Sequence, residues 1–196
     1  MNKYGLLSKI RRRKKYQRMG QQIHKYENLL NRNFVADRPN QKWVTDISSI
    51  HTAQGILYLS IICALFDNSI VAYKTGTEQT VNLILNTIKL AMEKGTATGE
   101  LHLHSDQGFQ YTSQAYFNLT REYGITPSMS RRGNCYDNAL AENFFSILKT
   151  ECIYRHKLNS FDEARQLIDE YIDFYNNERI QMKTCLTPFE KRHQAA

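Results

Sequence analysis

Proline and glycine are scarce in this chain, at 3 and 9 of 196 residues, which excludes collagen-like repeats and long proline- or glycine-rich linkers. Cysteine offers no staple either. Cys63, Cys135, Cys152 and Cys185 stand 72, 17 and 33 residues apart, with no Cys-x-x-Cys pair, so neither a disulfide framework nor a zinc ribbon is expected. Long hydrophobic runs are also missing. The longest nearly apolar stretch, LYLSIICALF from Leu57 to Phe66, is well short of the roughly 20 residues that cross a bilayer. The opening MNKYGLLSKIRRRKK has no apolar stretch of the signal-peptide kind. A cytoplasmic protein with no membrane association is expected.

What is present is a globular composition, 41% hydrophobic and 23% charged. At about 150 residues per domain, the length suggests one domain with an appendage. Such a chain buries roughly 70% of its unfolded surface and needs no cross-link. The net charge of +7 is unevenly placed. Residues 1 to 26 carry nine Lys or Arg and no acid, and the remainder has 17 basic against 19 acidic side chains. The run Arg11, Arg12, Arg13, Lys14 and Lys15 reads either as a solvated tail or as a segment that contacts a polyanion.

Spaced apolar positions in residues 3 to 32 suggest short helices resting on something else, and Asp37-Arg38-Pro39-Asn40 is a linker signal. KWVTDISSI, ILYLSIICALF and SIVAYKTG then read as a three-stranded antiparallel meander. Val81, Ile84, Leu85, Ile88, Ala91 and Met92 share one helical face, which Gly95 would end. LHLHSD and ITPSMS read as a fourth and a fifth strand, with a helix from Ser113 to Tyr123 between them. After a loop at Gly133-Asn134, a helix should run from about Asp137, its N-cap, to Glu151. A capping box, Ser160-x-x-Glu163, should open a last helix with a stripe of Ala164, Leu167, Ile168, Tyr171 and Phe174 or Tyr175. The order β-β-β-α-β-α-β-α-α predicts an α/β fold, a ribonuclease H-like mixed five-stranded sheet with helices on both faces. The expected parts are a basic helical segment (1–38), a catalytic core (39–155), and a C-terminal helix and tail packed on that core (156–196).

Three carboxylates sit where neutral residues would build better structure: Asp46 inside the first strand, Asp106 ending the fourth, and Glu142 on the helix after the loop. If they converge, each pair at about 4 Å repels by roughly 4 kcal/mol at an effective dielectric of 20, and a divalent cation removes that cost. Carboxylate oxygens suit Mg²⁺ or Mn²⁺ rather than zinc. Taken singly, each reads as an isolated turn, cap or surface residue. Between Asp106 and Glu142 lie 35 residues, and Lys149 comes seven positions after Glu142, within about 20° of the same helical face. The alternation His102-x-His104-x-Asp106 also has a zinc-hydrolase look, but Gln107 stands where such runs continue with His.

The stretches WVTDIS, HSDQGFQYTS, SMSRRGNCYDNALAENFFSILKTE and DFYNNERIQMKTCLTPFEKR resemble the integrase-type catalytic core of bacterial insertion-sequence transposases, related to retroviral integrases. The resemblance implies Asp46, Asp106 and Glu142 as catalytic metal ligands, with two Mg²⁺ or Mn²⁺ ions acting during phosphoryl transfer. It implies Lys149 at the DNA end; Arg131 and Arg132, in the loop before the helix, read either as phosphate contacts or as solvated arginines. His104 and Gln107 would orient the second ligand, or His104 would simply pack at the sheet edge. The implied activity is hydrolysis at element ends, followed by joining of the 3′-hydroxyl to target DNA in a homo-oligomer. Relatives often carry an acid where this chain has Ala64. They also usually carry a helix-turn-helix region ahead of the basic segment, so an upstream helix-turn-helix partner or fused product is expected. A truncated, inactive copy that only binds DNA or interferes with a full-length transposase is the alternative.

Overall fold

The computed structural model describes residues 23–94, 99–131 and 138–194. Five strands form one mixed sheet: β1 (Lys42–Thr52), β2 (Gly55–Ala64), β3 (Ile70–Gly76), β4 (Leu101–Ser105) and β5 (Ile125–Met129), in the order β3-β2-β1-β4-β5. β1 is antiparallel to β2 and parallel to β4, and β5 is parallel to β4. The helices are α1 (Val81–Lys94), α2 (Gln114–Glu122), α3 (Ala139–Glu151), α4 (Phe161–Asn177) and a short α5 (Pro188–His193). This is the ribonuclease H-like arrangement. Among the described residues, no helix is long and apolar enough to cross a membrane.

Strand periodicity divides the core. Side chains alternate across β1, so Trp43 and Ile47 join Ile84, Ile88, Leu103 and Tyr116 on the α1/α2 face. Val44 and Ile50 join Leu59, Phe144, Ile168 and Tyr175 on the α3/α4 face. Each large side chain so buried contributes about 1.5–3 kcal/mol. Asp46 and Ser48 share the even-numbered face of β1 that meets α3. The α4 stripe resolves in favour of Tyr175, which is buried, while Phe174 is 41% exposed.

The helix starts follow their caps. Ser113 accepts from Tyr116 N at the head of α2. At α4 the expected capping box is only half made. Ser160 accepts from Glu163 N at 3.1 Å, but the Glu163 carboxylate accepts from Asn159 N, one residue ahead of the cap. The complete box lies at α5, where Thr187 and Glu190 bond reciprocally and Pro188 opens the helix, a helix too short for periodicity to predict. Asn138 stands at the N-cap of α3 without a side-chain bond. Asp137, Gly133-Asn134 and Gly95 lie outside the described residues, as do Arg132 and the run Arg11, Arg12, Arg13, Lys14 and Lys15.

Residues 23–38, the described part of the expected helical segment, contain no helix. An edge strand presents unpaired backbone groups, and the extended stretch around Glu27 lies against β5 and satisfies some of them. Met129 N donates to Glu27 O at 3.1 Å, and Leu29 N donates to Ser128 Oγ at 3.0 Å. The His24 ring stacks on Phe117 with centroids 4.3 Å apart, and Tyr26 meets Tyr116 edge-on.

Candidate active site

β1 and β4 are parallel and in register up to Val44 and His104. Asp46 and Asp106 each follow two residues later, one on either strand. β4 ends at Ser105, so the second carboxylate projects where the ladder has opened. Gly108 N donates to Asp106 Oδ1 at 2.9 Å and Ile47 N donates to Asp46 Oδ1 at 2.7 Å, which fixes both side chains against their own backbone. Glycine at 108 leaves room for this bond, because a β-carbon there would lie 2.9 Å from both Asp106 Oδ1 and Gln110 Oε1 and would make those side chains shift.

The electrostatics of Asp46 carry the mark of its neighbours. Burial is the largest influence raising its pKa, and Asp106 and Glu142 push in the same direction. The Ile47 N–H and Lys149 oppose them, leaving Asp46 at about 7 against an ordinary 3.8. Burial likewise raises Asp106, against the Gly108 N–H. Lys149 is lowered by burial, with Asp46 opposing.

Glu142 lies in the first turn of α3 and Lys149 in its last turn. Residues 142, 145, 146 and 149 share one helical face, and Glu142, Phe145, Ser146 and Lys149 line a cleft of about 340 Å³ closed on the other side by Asp46, Ile47 and Ser48. Lys149 Nζ donates to Ser48 Oγ at 2.7 Å. Asp106 acts on Asp46 from the neighbouring strand end and stands outside the cleft lining. Among the described residues no three His, Cys, Asp or Glu side chains are drawn into a ready-made metal cage. The arrangement is a strand-borne pair of carboxylates, a helix-borne carboxylate, and a lysine in the same cleft as Asp46 and Glu142.

His104 is fully buried with Nδ1 2.8 Å from Ser128 Oγ. Gln107 Nε2 donates to Ser130 O. Both tie the Asp106 segment to β5. Arg131 is exposed just beyond β5. Three further residues near the site received no role from the sequence, although Ser48 and Tyr111 stand inside the WVTDIS and HSDQGFQYTS stretches. Ser48 holds Lys149. Tyr111 is buried with its hydroxyl 3.3 Å from Thr45 Oγ1, and its pKa is raised by burial and by Asp46 and Asp106. Tyr154 lines the outer end of the cleft. Ser48 follows Asp46 by two residues on a strand, so period-2 alternation alone places both on one face.

Comparison with known proteins bears on the family and the fold. The sequence matches the integrase core domain family over residues 36–135 and a second integrase core domain family over residues 142–195. A transposase-like protein of Haemophilus influenzae is 43% identical over 97% of this chain and 88% of its own length. The InsK protein of insertion sequence element IS150 from Escherichia coli K12 is 42% identical over 85% of this chain, which spans 59% of InsK. In fold, the simian T-cell lymphotropic virus intasome covers 81% of this chain and 56% of its own with a TM-score of 0.71 at 18% identity. The HTLV-2 integrase catalytic core in complex with magnesium covers 81% of this chain and 99% of its own with a TM-score of 0.65 at 16% identity. The chain belongs to the integrase core domain family of transposases and integrases.

Proposed function

We propose that this chain is the catalytic core of a DNA strand transferase that cuts at element ends and joins the resulting 3′-hydroxyl to target DNA. The observation that carries the reading is the surroundings of Asp46: a mostly buried carboxylate on the central strand, opposed by Asp106 and Glu142 and sharing its cleft with Lys149. Such crowding of like charge, built from hard oxygen donors, fits a divalent cation of the Mg²⁺ or Mn²⁺ kind. Asp46, Asp106 and Glu142 would hold it, and two ions so bound supply Lewis-acid activation of a water or 3′-hydroxyl and stabilise the leaving oxygen.

The chain's own residues do the rest. The Ile47 and Gly108 N–H groups fix the rotamers of Asp46 and Asp106. Lys149, held by Ser48, offers a cation to a phosphate of the DNA end on the helical face that also carries Glu142. Arg131, Arg132 and the basic run Arg11 to Lys15 are proposed to contact DNA more distantly. The working assembly is proposed to be a homo-oligomer on element ends and target DNA, with an upstream helix-turn-helix partner or fused segment reading the end sequence.

A metal-dependent nicking and joining assay tests the proposal, using a DNA end that already carries a free 3′-hydroxyl. Joined product with Mg²⁺ or Mn²⁺ is expected from the native chain, and none from Asp46→Asn, Asp106→Asn or Glu142→Gln. Undiminished activity in one variant removes that residue from the set. No product from the native chain, with DNA binding intact, would favour a non-catalytic copy that binds DNA or interferes with a longer transposase.

A further inference from the structure

Beyond the carboxylates and Lys149, the cleft has an aromatic end. After α3 the chain makes a single 3-10 turn, Ile153–Arg155. Ile153 is buried in the core and anchors the turn, while Tyr154 is thrown outward at 73% exposure and still lines the cleft with Lys149 and Thr150. A large aromatic left this open sacrifices burial that the core face would have supplied. The three residues after it, Arg155, His156 and Lys157, are also exposed. Arg155 Nε donates to Thr150 O at 3.2 Å, and the His156 ring bonds Cys152 O at 2.9 Å, so the turn is pinned to the end of α3.

The cleft lining includes the carboxylate of Glu142, the ammonium of Lys149 and the phenol ring of Tyr154, and exposed Arg155 and Lys157 follow that ring in the chain. Glu142 and Lys149 are separated by about 10 Å of helix axis at 1.5 Å per residue, and Tyr154 lies beyond. An aromatic platform beside cationic side chains is the combination that holds unpaired nucleotides: cations meet the backbone and the ring meets the face of a base. We propose that Tyr154 is a positioning residue that stacks on an unpaired nucleobase of the DNA end, so that the backbone beside it falls against Lys149 and the phosphate further in meets the carboxylates. The inference rests on the strand-transferase reading for what lies at the inner end of the cleft. The stacking itself is measurable without catalysis.

The test uses the full chain and two probes, in divalent-free buffer and at salt high enough to suppress purely electrostatic binding. One probe is a short duplex with a single-stranded thymidine extension. The other is the same duplex with abasic sites in the extension. The native chain should prefer the base-bearing probe by roughly 5- to 150-fold, the range of one base–aromatic stack. Tyr154→Ala should lose that preference through weaker binding of the base-bearing probe alone. Tyr154→Phe and Tyr154→Trp keep a ring and should retain it. Because the side chain is exposed, all three should unfold at the same denaturant midpoint as the native chain. Equal affinity of Tyr154→Ala and the native chain for the base-bearing probe overturns the inference, and so does a Tyr154→Phe variant as weak as Tyr154→Ala. A chain that shows the base preference without metal-dependent nicking overturns the catalytic reading alone. A nicking chain whose Tyr154→Ala variant keeps the preference overturns this inference alone.

Discussion

The ammonium of Lys149 donates to the hydroxyl of Ser48 at 2.7 Å, so the lysine of α3 is tethered to the strand that carries Asp46. The tether holds the cation at the mouth of the cleft and keeps it from folding back onto the carboxylate whose charge it partly offsets. Ser48→Ala removes the acceptor and leaves the charge. It should weaken DNA-end binding by about 5-fold, equivalent to about 1 kcal/mol for one hydrogen bond, with an unchanged unfolding midpoint. In Lys149→Ala the Ser48→Ala change should add nothing further, because the two act as a unit. Titration of a labelled DNA end against the four chains of the cycle measures this. Additive losses would mean that Ser48 acts on its own.

The raised pKa of Asp46 makes the fold sensitive to pH in a direction opposite to that of a salt-bridged carboxylate. Between the ordinary 3.8 and about 7 the folded state binds a proton that the unfolded state has released, so this residue's contribution declines as pH rises through that window. Above it the charge is buried at full cost. A shift of that size corresponds to at most about 4 kcal/mol. Asp46→Asn keeps an oxygen for the Ile47 N–H and carries no charge. Its stability advantage over the native chain, in divalent-free buffer, should be small at pH 4, grow towards pH 7 and then level off. Urea unfolding across that range checks the sign, and an Asn variant less stable than the native chain at pH 8 contradicts it.

Divalent cation should erase the same penalty. If Asp46, Asp106 and Glu142 hold a cation, Mg²⁺ or Mn²⁺ binds the folded state alone and raises the unfolding midpoint with its concentration. The rise should be larger at pH 8 than at pH 5, where the ion competes with the proton on Asp46. Asp46→Asn should show little of it. Thermal melts with and without chelator measure the effect, and a midpoint that ignores the metal at both pH values would remove the carboxylates as ligands.

Arg192 secures the C-terminal segment to the sheet. Its guanidinium pairs with Asp67 Oδ2 at 2.7 Å and also meets Ser69 Oγ and Asn40 Oδ1, while Asp67 is fully buried in the turn between β2 and β3. Arg192→Ala leaves a buried carboxylate with the Ser69 N–H on its other oxygen and no counter-ion. The expected cost is about 3 kcal/mol, towards the lower end for breaking a buried pair. Asp67→Asn with Arg192→Met, which removes both charges, should recover part of it. Denaturant unfolding of the native chain and the two variants tests the pair, and a loss under about 1 kcal/mol in Arg192→Ala would show that water reaches Asp67.

The parts of this molecule that announce themselves in sequence have a strong period. Alternation marks the strands, and Ile84, Ile88 and Ala91 mark α1, because each is set by which neighbours along the chain share a face. The 35-residue spacing and surrounding motifs mark Asp106 and Glu142. Asp46 is conspicuous because a carboxylate is a poor strand former in mid-strand. The illegible features depend on partners distant in sequence. The stretch around Glu27 lies against β5 because that edge needs backbone partners, and nothing local encodes the edge. The Glu163 carboxylate accepts from the Asn159 N–H rather than from that of Ser160 because the backbone, not the motif, decides which N–H points at it. Tyr154 resembles any apolar residue ending a helix until the 3-10 turn directs Ile153 inward and Tyr154 out.

The basic N-terminal residues admit a test whose boundary the structure sets. Of the nine basic residues in positions 1 to 26, eight fall in 1–22. His24 and Tyr26 already pack on Phe117 and Tyr116, and Glu27 bonds the backbone of β5. A cut after residue 26 would therefore strip packing along with charge, whereas deleting residues 1–22 removes charge and leaves those side chains in place. The shortened chain carries 26 − 8 = 18 basic against 19 acidic side chains, so only local groups such as Arg131, Lys149 and Arg155 remain to attract phosphate. Non-specific affinity for duplex DNA should fall most at low salt. Every phosphate that the deleted residues had neutralised should flatten the slope of log affinity against log salt by about 0.9, so a segment that neutralises several lowers it by several units. Equal affinities and slopes for the two chains would show that residues 1–22 touch no phosphates and that the core itself captures DNA.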